Sequence, residues 1–531
     1  MNMLTTLCHH LAYIFNYKGY LNFVYSLKNI KETQGRKLKQ LLHMSEGTQF
    51  FKDHPYMANM DYEDFAKKFP LTNYENWAEK INRQKENQIS EISKICDRYQ
   101  PTSGSTSHVK WIPYTEALLF EFDQAISPWI YDIVQTEKKV LKGKHYWSLS
   151  WLPTHLRDQV NINANDDLAL LPLWKRIFMS QTMAIPQKLS LAPSSESAIL
   201  GTIAYLVSHA DLSLISVWSP TFALNMLNEM ALKKDTLSLI LSKGKWNNDE
   251  LSFLPCPMSK KQSDILKSWD GKLEEIFFRE LWPDMKFISA WDTSTSKIWA
   301  QELQKLFPSA TFQGKGLWAT ECVVTIPFQN KYPLAVNSHF YEFADIESNK
   351  VYPSWNLKKG MIVKPVVSTG SGLYRYVMKD RLEVYDFLFK TPCLRFLGRI
   401  GDVDMVGEKM SPEMAINILS QVNQKFNVKT LTLMAVTNQG KKPYYYLLCE
   451  GRKDNNLSVK LAKYSEEILS KAFHYKLARE LNQLGKARAI ITPNARQIYQ
   501  DLAVKKGMIL GNLKIEPLTL CEDLPFDNND Q

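Results

Sequence analysis

Residues 101–115 read Pro-Thr-Ser-Gly-Ser-Thr-Ser-His-Val-Lys-Trp-Ile-Pro-Tyr-Thr, and this stretch is the most informative in the chain. Hydroxyl side chains surround Gly104, and Lys110 follows shortly after them. Such a segment offers many hydrogen-bond donors and little bulk, which suits a loop that binds phosphate groups. It is not a Walker A loop, because Val109 stands where the second glycine is needed and Trp111 follows the lysine. An ordinary polar loop is the alternative interpretation.

The composition indicates a globular chain with room for large cores. It has 531 residues, of which 45% are hydrophobic, 12% aromatic and 23% charged. This length corresponds to about two to four domain-sized units. The formal net charge is +10, but the basic residues are scattered and form no arm or recognition motif. We therefore predict no nucleic-acid partner, although an anionic substrate such as ATP would be favoured.

The cysteines and the N-terminus point to a cytoplasmic protein. Seven cysteines lie far apart without a CxxC pair, so neither a zinc site nor a disulfide framework is indicated. The N-terminal segment Met1 to Tyr25 lacks a basic start and a small-residue cleavage site, which favours an amphipathic helix packed on the protein. No uninterrupted apolar run is long enough for a membrane span.

Alternating short apolar runs and helical patterns predict an α/β fold with a substantial sheet. Residues 1–95 are predicted to be mainly helical, and Thr115 can cap a helix through about Gln135. Lys110–Ile112 should form a strand on the far side of the hydroxyl-rich loop. The middle of the chain is predicted to hold strands at Leu212–Trp218 and Phe287–Trp291 and helices at Thr221–Leu232 and Lys297–Leu306.

The pattern changes beyond about Phe396, where we predict a smaller, mobile α+β unit. Its predicted elements are a helix at Pro412–Gln424, strands at Lys429–Val436 and Tyr444–Cys449, a helix at Val459–Asn482 and a strand at Ala487–Thr492. The glycines of Gly398-Arg399-Ile400-Gly401-Asp402 would let the backbone swing at the boundary. The predicted division is a large N-terminal domain of residues 1–397 and a C-terminal domain of residues 398–531.

Two carboxylates stand out as candidate ligands. Glu321 ends the segment Gly316-Leu317-Trp318-Ala319-Thr320-Glu321, which follows a predicted strand. A carboxylate there can hold Mg²⁺, and the neighbouring flat side chain and backbone can frame an adenine. Asp380 follows the segment Gly372–Tyr376 and can accept hydrogen bonds from ribose hydroxyls. The alternatives are a solvated surface glutamate and a turn or cap aspartate.

Two basic residues, Arg399 and Lys514, are further candidate site residues. Arg399 lies at the proposed hinge, where it can contact a phosphate or ribose, or form an interdomain ion pair. Lys514 lies in the glycine-led segment Gly511–Pro517 of the small domain. Domain motion could bring it to negative charge that develops during a reaction. Its alternative is an ordinary surface lysine.

Taken in order, these segments resemble the auxin-responsive acyl-acid-amido synthetases, the Gretchen Hagen three family, and its bacterial members in particular. This family lies within the adenylate-forming superfamily. The resemblance covers nearly the whole chain. Its segments are Pro101–Thr115, Leu212–Pro220, Gly314–Glu321, Phe340–Phe343, Gly372–Tyr376, Gly398–Lys409 and Leu510–Pro517.

The resemblance implies a role for each of these residues. Contacts to the β- and γ-phosphates of ATP would come from Ser103, Ser105 and Thr106. The adenine and α-phosphate would be bordered by Trp318, Ala319 and Thr320. Glu321 would hold Mg²⁺ and Asp380 the ribose, while Arg399 and Asp402 would couple ATP contact to domain rotation. Lys514 would be the adenylation lysine. The sequence departs from the commonest pattern in the loop, where Ser107-His108 replaces a glycine-containing stretch.

The implied activity is an ATP- and Mg²⁺-dependent ligase reaction. A carboxylic acid would be adenylated with release of pyrophosphate, and the acyl group would pass to an amine, that of an amino acid. Two alternatives stay open: a thiol acceptor such as coenzyme A, and a nucleotide-binding protein or effector without turnover. The tryptophans Trp151, Trp218 and Trp291 either line an aromatic acyl pocket or belong to the core. The acyl acid, the acceptor and the oligomeric state do not follow from the sequence.

Overall fold

The computed structural model describes most of the chain, in several segments. These are residues 3–54, 60–102, 110–148, 180–293, 296–399, 401, 403, 405–406, 408, 410–437, 442–480, 483–505, 513–521 and 524. The hydroxyl-rich loop at 103–109 therefore lies outside the described residues. No helix in the described segments is both long enough and apolar enough to cross a membrane.

The N-terminal region is helical, as predicted. The helices described there are α1 (Met3–Lys28), α2 (Ile30–Met44), α3 (Gln49–Asp53), α4 (Tyr62–Lys68) and α5 (Glu75–Asn87). Helix α1 packs on the protein through Phe23 and Leu27, which are fully buried. A two-stranded hairpin follows, formed by β1 (Tyr99–Thr102) and β2 (Lys110–Pro113). The predicted strand at Lys110 is confirmed, whereas β1 was not predicted.

Helix α6 (Glu116–Thr136) follows the hairpin and confirms the predicted cap. The Thr115 hydroxyl accepts a hydrogen bond from the Leu118 N–H, which satisfies one of the free donors of the first turn. The same hydroxyl donates to the Gly370 carbonyl at 2.8 Å. One cap therefore both starts the helix and ties it to a distant turn.

Four parallel strands form the predicted buried sheet. They are β3 (Lys144–Trp147), β4 (Leu212–Ser216), β5 (Phe287–Ala290) and β6 (Thr311–Gly314), in the order β3-β4-β5-β6. Every residue of β4 and β5 is buried, in agreement with their mainly apolar sequences. The flanking helices are α7 (Ser195–Ser208), α8 (Pro220–Leu232), α9 (Lys234–Lys243), α10 (Lys260–Ser268), α11 (Glu275–Leu281) and α12 (Ser296–Leu306). Parallel pairing places all four carboxyl ends at one edge.

A second, mainly antiparallel sheet has the order β12-β11-β9-β7-β8, with β10 paired to β9. Its strands are β7 (Phe340–Asp345), β8 (Val351–Pro353), β9 (Ile362–Ser368), β10 (Tyr376–Val377), β11 (Asp380–Leu388) and β12 (Thr391–Arg399). A large core joins this sheet to the N-terminal helices and to α6. Strand β12 ends at Arg399, two residues beyond the predicted boundary at 397, so the exact division stays a prediction.

The C-terminal region is an α+β unit, in agreement with the predicted fold class. Its elements are α13 (Pro412–Phe426), β13 (Lys429–Val436), β14 (Tyr444–Glu450), α14 (Asn455–Leu469), α15 (Phe473–Glu480), β15 (Arg488–Thr492), α16 (Ala495–Lys505) and β16 (Leu518–Cys521). The sheet order is β15-β14-β13-β16. One face packs on α13 and α14, and the other joins the core of the parallel sheet and its helices.

The single helix predicted at Val459–Asn482 was wrong, because the structure has α14 and α15 there. The Glu466 carboxylate explains the break. It accepts hydrogen bonds from the Tyr475 hydroxyl at 2.8 Å and from the Arg479 Nε–H at 2.7 Å. The chain must turn between the two helices to bring both donors to one carboxylate.

A buried ion pair joins the second sheet to the N-terminal helices. Arg375 Nε lies 2.9 Å from Glu342 Oε2, and Arg375 Nη2 lies 2.9 Å from Glu342 Oε1. The remaining guanidinium nitrogen, Arg375 Nη1, donates hydrogen bonds to the carbonyls of Ala66 and Phe69. Both side chains are almost fully buried, so each charge depends on the other for compensation.

Replacing Arg375 with Met should therefore lower the free energy of unfolding by about 3–5 kcal/mol, because it leaves the Glu342 charge buried and unpaired. Urea unfolding followed by circular dichroism would measure this loss. The control is Arg279→Met, which removes an exposed ion pair to Glu275 and should change the free energy by no more than about 0.5 kcal/mol. Equal losses for the two variants would contradict the assignment.

Candidate active site

The described strands fix both ends of the hydroxyl-rich loop. Thr102 of β1 pairs with Lys110 of β2, so the loop leaves and re-enters the hairpin at neighbouring positions. The Trp111 N–H donates to the Tyr74 hydroxyl at 2.7 Å, which anchors β2 to the residue before helix α5. The candidate residues Ser103, Ser105 and Thr106 themselves lie outside the described residues, so their predicted phosphate contacts stay a prediction.

The segment that ends in Glu321 is one leg of a tight hairpin. It follows β6, as the sequence predicted. Trp318 bridges to Val323 in antiparallel fashion, and the Ala319 N–H donates to the Cys322 carbonyl at 2.9 Å. The Thr320 carbonyl accepts from the Tyr114 hydroxyl at 3.2 Å. Trp318, Ala319, Thr320 and Glu321 therefore occupy the end and tip of a hairpin, whose tip is tied to the residue after β2.

Glu321 and Asp380 both act electrostatically on one buried thiol, that of Cys322. The Tyr376 hydroxyl lies 3.4 Å from Glu321 Oε1. Burial raises the pKa of the Cys322 thiol well above its usual range, and the charges of Glu321, Asp380 and Glu121 raise this pKa further. The thiol therefore stays protonated and is no nucleophile. Two candidate carboxylates that are 59 residues apart in sequence thus influence the same buried thiol.

Asp380 and Arg399 occupy the same end of one strand pair. Asp380 begins β11, Arg399 ends β12, and the two residues are direct partners in the antiparallel register. Asp380 is buried, which is unusual for a carboxylate unless it has a partner or a ligand. The Arg399 side chain is not among those described, so its contacts stay a prediction.

Lys514 lies against the large domain. Its ammonium nitrogen is 4.0 Å from the centre of the Phe396 ring and 5.5 Å from that of Trp291. The Tyr499 hydroxyl donates to the Lys514 carbonyl at 3.0 Å, which holds the backbone on helix α16. The lysine therefore lies beside Phe396 of strand β12, and Phe396 is three residues before Arg399 in the chain. Its predicted catalytic role is not tested by this placement.

A buried network that sequence analysis did not predict links the candidate segments. Glu121 Oε2 accepts from His339 Nδ1–H at 2.7 Å and from the Gly370 N–H at 2.8 Å. His339 Nε2 accepts from the Val323 N–H at 3.1 Å, which assigns the ring proton to Nδ1. His339 is fully buried. Its partner Glu121 left no local signal, because one glutamate within a helix is unremarkable.

The tryptophans predicted for an acyl pocket are partly described. Trp218 and Trp291 follow β4 and β5, and their rings lie 5.7 Å apart. Trp318 lies 5.6 Å from Trp218. Trp218 and Trp291 thus lie at the carboxyl edge of the parallel sheet, where ligands of α/β proteins commonly bind. Trp151 lies outside the described residues.

No group of three or more His, Cys, Asp or Glu side chains in the described segments is arranged as a metal cage. Such a cage is not what Mg²⁺ needs in a nucleotide site, where one or two carboxylates act together with substrate phosphates. Glu321 is half-buried at a hairpin tip, so a single carboxylate there fits that kind of site.

Family models decide the relationship of this chain to known proteins. The model for the GH3 family N-terminal domain matches residues 20–312, which is more than half of the chain. The chain belongs to the GH3 family. The model for the GH3 family central domain matches residues 332–399 of this GH3 chain, where the second sheet lies. The predicted family is therefore confirmed.

Named plant proteins align with this GH3 chain at low identity. Indole-3-acetic acid-amido synthetase GH3.15 of Arabidopsis thaliana is 21% identical over 425 residues, which cover 72% of this chain and 70% of that protein. Probable indole-3-acetic acid-amido synthetase GH3.7 of Oryza sativa subsp. japonica is 24% identical over 291 residues, or 45% of this chain. The alignment spans only 44% of the length of the rice protein.

A solved structure confirms the fold of this GH3 chain. AtGH3.15 acyl acid amido synthetase in complex with 2,4-DB superposes with a TM-score of 0.75 and 17% sequence identity. The superposition covers 94% of this chain and 93% of that chain. The predicted α/β architecture with a C-terminal α+β unit is thus the architecture of a known GH3 protein.

The hairpin that carries Glu321 should be intolerant of any added bulk at its base. A Cβ atom on Gly316 would lie 2.0 Å from the Thr325 carbonyl oxygen. Gly316→Ala must push the two legs apart and should lower the free energy of unfolding by about 1–3 kcal/mol. Thermal and urea unfolding would measure the change.

The matched control is the same substitution at Gly35, within helix α2. A Cβ atom there meets nothing within 4 Å, so Gly35→Ala should stabilise the protein by about 0.5–1 kcal/mol through helix propensity. A neutral or stabilising effect at both positions would show that the hairpin is not packed as described.

Proposed function

We propose that this GH3 protein activates a carboxylic acid with ATP and Mg²⁺ to form an acyl-adenylate, and then transfers the acyl group to the amine of an amino acid. The observation that supports this proposal is the placement of two candidate ligands in a chain of this family: Glu321 lies at a hairpin tip, 3.4 Å from the Tyr376 hydroxyl, and buried Asp380 is paired with Arg399 in the strand register. The relatives that align are named amido synthetases, which supports an amine acceptor over a thiol.

Adenylation overcomes the poor reactivity of a carboxylate. A carboxylate oxygen attacks the α-phosphorus of ATP, an oxygen–phosphorus bond forms, and pyrophosphate leaves. An amine nitrogen then attacks the acyl carbon, AMP leaves with the bonding pair, and the nitrogen loses a proton to give an amide. The protein must align the groups and stabilise the charge that develops at phosphorus and at the carbonyl oxygen.

The proposed roles follow the chemistry of each residue. Asp380 would accept hydrogen bonds from the ribose hydroxyls, since a buried carboxylate offers only acceptors. Glu321 would hold Mg²⁺, which neutralises phosphate charge when bound. Backbone groups at Ala319 and Thr320 would border the α-phosphate, and the Trp318 ring the adenine. Ser103, Ser105 and Thr106 would bind the β- and γ-phosphates.

The basic residues would act between the two domains. Lys514 would stabilise the charge of the adenylation step, because it already lies at the edge of the large domain beside Phe396. Arg399, together with Asp402, would couple nucleotide contact to rotation of the smaller domain. None of the seven cysteines forms a disulfide, and we infer that the reaction takes place in the cytoplasm.

The first test is ATP–pyrophosphate exchange with purified protein, Mg²⁺ and a broad panel of carboxylic acids. We expect exchange that depends on one class of acid and that falls at least about 100-fold in Glu321→Ala. Glu347→Ala, which removes an exposed glutamate from the β7–β8 turn, is the control and should exchange like the wild type. Absence of exchange with every acid, despite measurable ATP binding, would favour a nucleotide-binding protein without turnover.

Lys514 allows a sharper test of domain participation. Lys514→Met keeps the apolar stem that packs on Phe396 and Trp291 but removes the ammonium group, so the exchange rate should fall by about 100-fold or more. ATP affinity measured by calorimetry should change little. Lys505→Met, at the exposed end of helix α16, is the control. Unaltered adenylation in Lys514→Met would remove its proposed role.

The acceptor can then be identified with the acid found by exchange. Amino acids and coenzyme A would be compared by following AMP release and product mass. Amide formation with an amino acid is expected, whereas a thioester would point to the alternative acceptor.

A further inference from the structure

Lys315 is a buried cation that the proposed reaction does not use. Its side chain is only 7% exposed, and the single hydrogen-bond partner of its nitrogen among the described residues is Ser216 Oγ, at 2.8 Å. The nitrogen lies 4.7 Å from the ring centre of Trp129 and 4.7 Å from that of Trp218. No described carboxylate forms an ion pair with it, and burial lowers its pKa to about 7.

This arrangement costs stability. A buried ammonium group has three donors and needs compensation for its lost hydration, and among the described residues one hydroxyl and two indole faces supply it. A methionine would fill the same volume without that cost. A structural role therefore explains Lys315 poorly, whereas a ligand that completes its hydrogen bonds explains it well.

One further polar group at the same edge lacks a hydrogen-bond partner among the described residues. Four residues of adjacent strands lie in register at the carboxyl ends of the parallel sheet, and hence on one face: Trp147, Ser216, Ser289 and Gln313. Ser289 Oγ is buried without a hydrogen-bond partner in the described structure. Such groups are rare in native proteins and mark a site for a ligand or water. The carboxyl edge of a parallel sheet is where ligands of α/β proteins bind.

Tryptophan rings lie around these polar groups. Trp129 of helix α6 contacts Trp147 edge to face at 5.4 Å and Trp318 at 5.5 Å, and its Nε1–H donates to Gln313 Oε1 at 2.8 Å. Trp218 closes the other side, 5.6 Å from Trp318. The result is a set of flat apolar surfaces with one cation among them, which suits a flat organic acid.

Lys315 lies at the opposite end of the hairpin from Glu321. The backbone of Lys315 bonds to Ala290 at the base, whereas Glu321 is at the tip. At about 3.3 Å per residue, the six residue steps between them allow at most about 20 Å between the two backbone positions. The reacting carboxylate must meet the α-phosphate near the tip. The remote end of the same acid then points towards Lys315.

We propose that Lys315 recognises the far end of the acyl substrate, and that this substrate is a carboxylic acid with a flat apolar body and a second oxygen acceptor, most favourably a carboxylate, at that end. This inference rests on the proposed adenylating function. A carboxylate there would pair with the ammonium group, and a hydroxyl or carbonyl oxygen would accept one hydrogen bond from it. An acid without such an oxygen would leave the buried cation unsatisfied.

The test is pyrophosphate exchange with acids in matched sets that differ only at the far end. Phenylacetic, 4-hydroxyphenylacetic and 4-carboxyphenylacetic acid are one such set, and longer flat acids with the same three ends are the others. The wild type should prefer the oxygen-bearing members in kcat/KM. Lys315→Met should reduce that preference by about 10- to 150-fold, the range that one hydrogen bond to a charged group supplies.

Two further measurements separate binding from structure. Ser216→Ala removes the only described hydrogen-bond partner of the ammonium group and should weaken the preference in the same direction by a smaller factor. In the absence of ligand, Lys315→Met should unfold at the same or a higher temperature than the wild type, because it removes an uncompensated buried charge. A clearly lower unfolding temperature would instead mark Lys315 as structural and would overturn the proposal.

Each exchange outcome has one meaning. One contradicting result is that the wild type catalyses pyrophosphate exchange equally well with acids that differ at the far end, and another is that Lys315→Met slows exchange with every acid by the same factor. In either case the proposal for Lys315 fails while the adenylating function stands. If the wild type exchanges with no acid in any set, the proposed function fails and this inference fails with it.

Discussion

The Glu121 carboxylate is the interaction on which the candidate site depends. It lies in helix α6, which follows the hydroxyl-rich loop, and it accepts hydrogen bonds from His339 and from the Gly370 backbone. His339 in turn accepts from the Val323 N–H, two residues after Glu321. One buried acid therefore holds together the helix that follows the hydroxyl-rich loop, the hairpin of Glu321 and the turn that leads to Asp380. Lys37 of helix α2 lies 4.0 Å away as the only described counter-charge, and it extends the network to the N-terminal helices.

Much of this architecture could be predicted because its signals are local. The apolar runs of β4 and β5, the Thr115 cap and the strand at Lys110 all depend on residues within a few positions of one another, and all were confirmed. The helix from 459 to 482 was predicted wrongly, since the break depends on Tyr475 and Arg479 reaching back to Glu466. Glu121 and Lys315 were missed for the same reason. Their partners are about 100 to 250 residues away, and no pattern in a single sequence joins them.

The C-terminal unit is joined to the rest of the protein by side-chain contacts and a shared core as well as by the linker. Helix α12 carries Trp299 and Glu302, and both face the C-terminal unit: Arg496 lies 4.4 Å from the Trp299 ring and Lys429 lies 2.6 Å from Glu302. The apolar face of the C-terminal sheet also continues the core of the parallel sheet. Rotation of the small domain would have to expose part of that core. Lys514 lies at this same boundary, so the energy of the interface and the position of the proposed adenylation lysine are physically linked.

In the parallel sheet, the residues that stabilise the fold and the residues proposed to select the substrate lie at different ends of the strands. The amino-terminal parts of β4 and β5 are apolar and fully packed, and changes there would cost stability without reaching a ligand. Ser216, Ser289 and Lys315 lie at the opposite edge, where polar groups remain only partly satisfied. Incomplete hydrogen bonding costs folding energy, and that cost is recovered only when a ligand supplies the missing acceptor. A site built in this way discriminates most strongly against acids that lack the acceptor, because they leave the cost unrecovered.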